Sequence, residues 1–387
     1  MTQLKVLFLS ITAIILFFCS NVYSQNDAIK IVGKLLDEET KEPISNVTVF
    51  LSFTSYHTQT NMFGEFSIYG VVPGAYSLIC VAKGYQKVSL RVDVNGKANL
   101  KANIVLKKMT SLNKNDISQV STFIERHKFV EKFKKEFLGG SIRTYKCEIV
   151  NENDITFTHN GIQLFAHSDT PIIIINKSLG YKLTVFLNKF EWEWFSDYGK
   201  FSIDMYFDEL KPADSFEAVR FAANRLEAYK GSFRHFLRAC AIRKVYKEGF
   251  VAFLANYVPQ ELGEYEEFKD QVEDERSSNV MRLIDAIIIE NSENEFTIEL
   301  EGYLEVVYKG RKEEANYTEY KERIFGTSEL YDFQDSWVYF PGGKYTFTSR
   351  GIGLESEKYS KQLFGYWNWK RVSDLLPNEY EPIEVLE

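Results

Sequence analysis

The feature that most limits how this chain can fold is a two-residue alternation of apolar side chains between residues 29 and 107, cut into short runs by glycine, proline and asparagine. Successive side chains of a strand point to opposite faces, so apolar residues at every second position give one dry face and one wet face. Ile29, Ile31 and Leu35 keep this phase, as do Val47, Val49, Leu51 and Phe53, then Phe66 and Ile68, then Val88, Leu90, Val92 and Val94. Tyr76 to Ala82 is apolar in both phases, as a strand covered on each side would be. About seven short strands at this spacing predict an all-β sandwich. Asn95-Gly96 is a type I′ hairpin signal and predicts that the last two strands are antiparallel neighbours. Gly64, Pro73, Gly74 and Gly84 are expected at turns, with positive φ at Gly64 and Gly74 and with Pro73 at a turn's first corner.

The same stretch carries a family pattern. Ile31-x-Gly33-x-Leu35-x-Asp37, Thr40-x-x-Pro43-Ile44, Thr60-x-x-x-Gly64-x-Phe66-x-Ile68, Val72-Pro73-Gly74-x-Tyr76-x-Leu78 and Gly84-Tyr85 follow one another in order. Together they resemble the carboxypeptidase regulatory-like domain. The resemblance implies a transthyretin-like sandwich of about seven strands, a module appended to exported proteins and placed at the front of many outer-membrane receptors. Further on, Phe137-Leu138-Gly139, Cys147-x-Ile149-x-Asn151, Ile175-Asn176-x-x-Leu179-Gly180-Tyr181, Tyr229-x-Gly231-Ser232-x-Arg234-His235-Phe236-Leu237-Arg238 and Gly365-Tyr366-Trp367-x-Trp369 resemble the extension of exported proteins that share this domain. That resemblance implies an architecture and no activity.

At 387 residues the chain exceeds one ordinary core and divides into several units. Residues 1–24 read as a signal peptide: Lys5 precedes an apolar run from Val6 to Phe18, and Val22-Tyr23-Ser24 offers a cleavage site before Gln25. Lipoprotein processing at Cys19 is disfavoured because Phe18 occupies a position that demands a small residue. The sandwich, 29–107, is followed by a polar linker from Lys107 to Gln119 and an α+β region, 120–257. This region opens on a helix with a capping box of Thr122 and Glu125, an apolar stripe of Phe129, Val130, Phe133 and Phe137, and a Gly139-Gly140 stop. Strands return from Tyr145 to Leu210, and a helical pair follows, capped first at Asp214 or Ser215 and presenting Phe233, Phe236, Leu237, Cys240 and Ala241 on one face of its second helix. An acidic connector, 258–279, leads to a β-rich C-terminal region, 280–387, expected to pack with 120–257. The fold class is thus a β-rich α+β protein.

Candidate chemistry is sparse. A zinc carboxypeptidase needs a His-x-x-Glu pair with a distant His, and none of His57, His127, His159, His167 and His235 has Glu three residues on. HExxH is absent as well, so no metal, cofactor or catalytic residue is expected. Ser232, Arg234, His235 and Arg238 could form an anion clamp or partner contact on a helix, but a serine after Gly231 is better placed as a helix cap than as a nucleophile, which usually sits on a GxSxG elbow. Phe190, Trp192 and Trp194 alternate opposite Glu191 and Glu193, either as a core face or as an aromatic row that meets a sugar or a partner. The acidic run from Glu261 to Asp274 lacks an EF-hand's spacing and reads as a solvated face. Cys80, Cys147 and Cys240, odd in number after the leader leaves, support no disulfide framework, and a single disulfide among them is left open.

A net charge of −8 argues against nucleic acid as a partner, and the absence of a long apolar run after Gln25 leaves peripheral membrane association at most. The expected function is non-catalytic binding or assembly at the cell envelope, in the periplasm, at the outer-membrane surface or outside the cell. The partner would be an envelope protein or glycan, with the sandwich as a spacer or docking module. The rivals are a hydrolase of unfamiliar type in residues 120–387 and a structural accessory of an outer-membrane receptor.

Overall fold

A computed structural model describes residues 29–94, 99–109, 119–120, 123–194, 198–255, 286–354 and 361–382. The leader, Asn95-Gly96, Thr122 and the acidic connector lie outside the described residues.

The alternating N-terminal stretch forms β1 (Ile29–Asp37), β2 (Thr48–Leu51), β3 (His57–Gln59), β4 (Glu65–Val71), β5 (Gly74–Val81), β6 (Val88–Val94) and β7 (Asn99–Leu106). They make two sheets, ordered β4-β1-β7 and β3-β2-β5-β6. Ile31, Leu35, Val47, Val49, Leu51, Phe66, Ile68, Leu78 and Cys80 meet between them, each contributing about 1.5–3 kcal/mol by leaving water. Gly33 sits in the inward phase for want of space: a Cβ there would lie 1.9 Å from the Ala102 carbonyl and 2.5 Å from the Phe66 ring. Asp37, at the end of β1, accepts hydrogen bonds from the Glu39 and Thr40 amides and the Tyr85 hydroxyl, and Lys108 stands 3.3 Å away. These contacts, the Thr40 amide foremost, hold its carboxyl far below the usual range. Asp37, Tyr85 and Lys108 therefore clasp the entry of the sandwich to its exit.

Four local expectations change. β6 and β7 are not neighbours, since β6 pairs antiparallel with β5, whereas β7 runs parallel to β1 from Asn99 to Leu106. Closing the bare edge of β1 outweighs a two-residue turn signal, which carries only local information. Gly74 is not among the positive-φ residues, whereas Gly64 (+72°), Gly70 (+72°) and Gly84 (+82°) are. Leu90 is exposed on an edge strand, and Phe53 leaves the sandwich altogether.

The second body is a helix on a sheet. α1 (Phe123–Leu138) lays Phe129, Val130, Phe133 and Phe137 on strands β9 (Cys147–Ile149), β10 (Ile155–His159), β11 (Gln163–Ser168), β12 (Ile172–Asn176), β13 (Tyr181–Glu193) and β14 (Tyr198–Glu209). The two-residue β8 (Gln119–Val120) pairs with β10 at the sheet's edge. β13 is its axis: β12 and β11 share one edge, and β14 takes the other along its whole length. Phe133 stacks on Phe137 at 4.7 Å and leans on Phe190 at 4.8 Å.

After α2 (Ser215–Tyr229), capped by Asp214, the chain builds a third body around α3 (Phe233–Ala241). One sheet is ordered β15 (Phe250–Ala255), β18 (Tyr303–Tyr308), β19 (Gln334–Tyr339), β21 (Gln362–Gly365), and the other β16 (Ile288–Ser292), β17 (Glu295–Glu299), β20 (Lys344–Thr348). Phe236, Leu237 and Cys240 of α3 join Phe250, Ile298, Val306, Val338 and Phe347 in one core. α4 (Tyr317–Phe325) covers Trp337 from outside. Beyond α5 (Tyr366–Trp369) the chain returns to the second body, where Val372, Leu375 and Leu376 enter the core begun at Phe129. No helix among the described residues is long and apolar enough to cross a membrane.

Candidate functional site

The contact between the sandwich and the second body begins with one residue out of phase. Phe50 points away from the sandwich core yet is wholly buried, stacked on Phe186 at 5.1 Å and leaning on Tyr206 at 5.2 Å. The turn after β2 then extends the free edge of β14: the Phe53 amide donates to the Met205 carbonyl at 2.7 Å, and the Phe207 amide to the Thr54 carbonyl at 2.9 Å. Phe53 makes this corner with φ of +61°, an uncommon conformation for a bulky residue. It is held on its other side by the Asn378 amide, which donates to its carbonyl at 2.8 Å. Lys87 of the sandwich reaches Asn188 and Asp204.

Where the two bodies diverge, this seam opens into a polar cleft of about 430 Å³ lined by Thr48, His57, Thr58 and Gln59 on one side and by Lys182, Tyr206 and Asp208 on the other. His57 Nε2 lies 2.8 Å from Asp208 Oδ1, and Lys182 lies 3.4 Å from Oδ2 of the same carboxylate. The imidazole also stacks on Tyr206 at 4.2 Å. Hydroxyls, an amide, an ammonium and a carboxylate thus face a shared space, a set suited to hydrogen-bonding a polar ligand. Thr48 and Thr58 supply its aliphatic hydroxyls and Tyr206 its phenol.

The structure brings Arg234, His235 and Arg238 together on α3, as their spacing requires, and turns the two arginines, but not His235, toward residues 377–381. Arg234 donates to the carbonyls of Pro377 at 2.9 Å and Tyr380 at 2.7 Å, and burial pushes its pKa down to about 10. Arg238 pairs with Glu381 at 2.5 Å, and Arg350, which the sequence did not suggest, holds the same carboxylate. Ser232 accepts from the His235 amide and caps α3. His235 Nδ1 accepts from the Gly231 amide at 3.1 Å, so Nε2 carries the proton that faces Glu248. Burial holds this imidazole below its ordinary pKa, against the opposing pull of Glu248.

Phe190 and Trp192 are buried, with Lys132 4.1 Å above the Trp192 ring, and Trp194 is partly exposed at the strand's end. Cys80, Cys147 and Cys240 are free thiols, and burial pushes the first two up to about 12. Among the described residues no group of three or more His, Cys, Asp or Glu side chains could hold a metal ion.

The doubly apolar run Tyr76 to Ala82 predicts a covered outer face for β5, and Phe50 carries the same signal, unread in the sequence, on the wet face of β2. Both mark an outer face that another layer covers.

The fold and its clasp define a small two-sheet module joined to a larger α+β body. The family model of the CarboxypepD_reg-like domain matches residues 31–116, and those residues are such a domain; the remainder of the chain is unassigned. No curated protein matches. Among solved structures, the pilus 2b backbone protein of group B streptococcus is 18% identical over 21% of this chain and 41% of its own, with a TM-score of 0.18. GBS52, the minor pilin of Streptococcus agalactiae, is 19% identical over 23% of this chain and 47% of its own, with a TM-score of 0.19. A type II cohesin–X–dockerin complex from Acetivibrio cellulolyticus is 16% identical over 30% of this chain and 80% of its own, with a TM-score of 0.20. This chain spans less than half the length of either pilin. Scores this low carry no argument about function.

Proposed function

We propose that the protein is a non-catalytic binding or assembly component of the cell envelope, exported by its leader, whose seam cleft engages a polar partner, either a protein segment or an envelope glycan. The observation that carries the reading is the seam. A shared strand edge, a buried aromatic stack and the His57 and Asp208 pair hold the domain against its neighbour. The cleft walls are therefore set before any partner arrives, which lowers the ordering cost of binding. The segment richest in chemical groups, Arg234 to Arg238, serves the fold by pinning the tail, which favours binding over turnover.

A photo-crosslinker placed at Gln59, on the exposed rim of the cleft, tests the proposal in cells. Capture of one envelope protein or glycan from Gln59, lost on Lys182→Ala and absent from a crosslinker at the remote, exposed Tyr69, is the expected result. Consumption of a peptide or sugar by the purified protein, abolished by His57→Ala, would overturn the non-catalytic reading.

A further inference from the structure

Helix α2 is buried along one side and bare along the other. Phe221, Ala228 and Tyr229 are buried, while on the opposite face Phe216 is 85% and Val219 69% exposed. Ala223 is exposed too, and Leu226 is half-buried. These four positions, separated by three, four and three residues, follow the spacing of a coiled-coil seam and form one stripe opposite the buried side. A single exposed apolar residue is ordinary, whereas a stripe of this spacing on a well-capped helix marks a contact.

We infer that α2 pairs with α2 of a second copy of this chain, antiparallel and about a two-fold axis beside Phe221. The stripe is symmetric about that point: Phe216 and Leu226 stand five residues from it, and Val219 and Ala223 two. An antiparallel partner therefore sets Phe216 on its Leu226 and Val219 on its Ala223, large against smaller at every layer. The flanks select this orientation. One edge of the stripe carries Arg220 and Glu227, the other Ser215 and Ala222. In an antiparallel pair each edge meets its own copy, so Arg220 faces Glu227 of the second copy twice over, and the small residues let the backbones approach. A parallel pair would set the charges against Ser215 and Ala222. Arg220 now lies 2.6 Å from Glu217, with 58% of its side chain exposed, and Glu227 3.8 Å from Arg311, with 51% exposed, so both can reach outward. One helix pair buries less than the roughly 1,000 Å² of a permanent interface, so the dimer is concentration-dependent.

Sedimentation equilibrium of the purified protein tests the pairing. The mass should rise with concentration from that of one chain toward that of two. Val219→Arg, at an exposed position that leaves the circular dichroism unchanged, should weaken the dimer by at least about tenfold. Arg220→Glu should weaken it by sending like charges across the axis, and Arg220→Glu with Glu227→Arg should restore it to within about twofold. Single-chain mass at every concentration, a dimer indifferent to Val219→Arg, or no recovery in the double reversal would overturn the proposal.

Discussion

Replacing Phe50 by alanine separates docking of the sandwich from its folding. The side chain is 0% exposed, yet it lies outside the sandwich core and touches Phe186 and Tyr206 of the second body. Removing a buried phenyl ring costs about 3–5 kcal/mol, and here that loss falls on the contact between the bodies. The ratio of docked to undocked molecules should then drop by about two to three and a half orders of magnitude, at 1.4 kcal/mol per tenfold. The seam would rest on polar contacts, the Phe53–Met205 and Phe207–Thr54 hydrogen bonds, the His57 and Asp208 pair, and the reach of Ser52 and Lys87 to Asp204, each worth about 1 kcal/mol or less. Native-state hydrogen exchange reads this at the Phe53 and Phe207 amides, which should lose protection while amides inside β1 and β5 keep theirs. Calorimetry should show one transition splitting into two. Val49→Ala, which empties space within the sandwich core, should instead weaken the β1 and β5 amides. Unchanged protection at Phe207 in Phe50→Ala, or an equal loss in both regions, would refute the claim that this ring is what holds the bodies together.

Stability should fall as pH drops from about 7.5 to about 5.5, because buried His235 takes up a proton less readily folded than unfolded; its contribution is present above the ordinary imidazole pKa and lost on acidification toward the depressed folded value. Urea unfolding of His235→Gln at the two pH values should show a flatter dependence. Trp367→Phe strips the donor that meets the Gly231 carbonyl at 2.7 Å and should cost about 1–3 kcal/mol by urea midpoint; a shift below experimental error would refute that accounting. Gly33→Ala should prevent β1 from pairing at once with β4 and β7, since its methyl would meet the Ala102 carbonyl at 1.9 Å, and a folded sandwich by circular dichroism would contradict the close approach.

The sandwich was legible because its signals are local and periodic. Ile31, Val49, Phe66 and Leu78 declare their face within a few residues, and turns at Gly64 and Gly84 need no distant partner. Helix α1, with its phenylalanine stripe, and the serine cap of α3 were legible for the same reason. Pairing across sheets was not. Nothing near Asn99 announces that β7 will run beside β1, because that choice follows from an unfilled edge some sixty residues away. The site was the least legible part, since Phe50, His57, Tyr206 and Asp208 meet only after two bodies dock; Phe50 signals a covered face without naming its cover, and the other three read alone as ordinary strand residues. Arg234 and Arg238 were visible as a cluster, but their partners at Pro377, Tyr380 and Glu381 lie far along the chain and include two backbone carbonyls, which any residue type supplies.

The return of Val372, Leu375 and Leu376 into a core that starts at Phe129 sets an order on biogenesis. The sandwich can close as soon as its own strands are available, whereas the second body stays unsealed until a stretch roughly 140 residues beyond α2 has joined it. During that interval Phe133, Phe137 and Ile174 lack part of their cover, which makes this middle portion the place where a chaperone would hold the nascent chain and where premature truncation would be felt first.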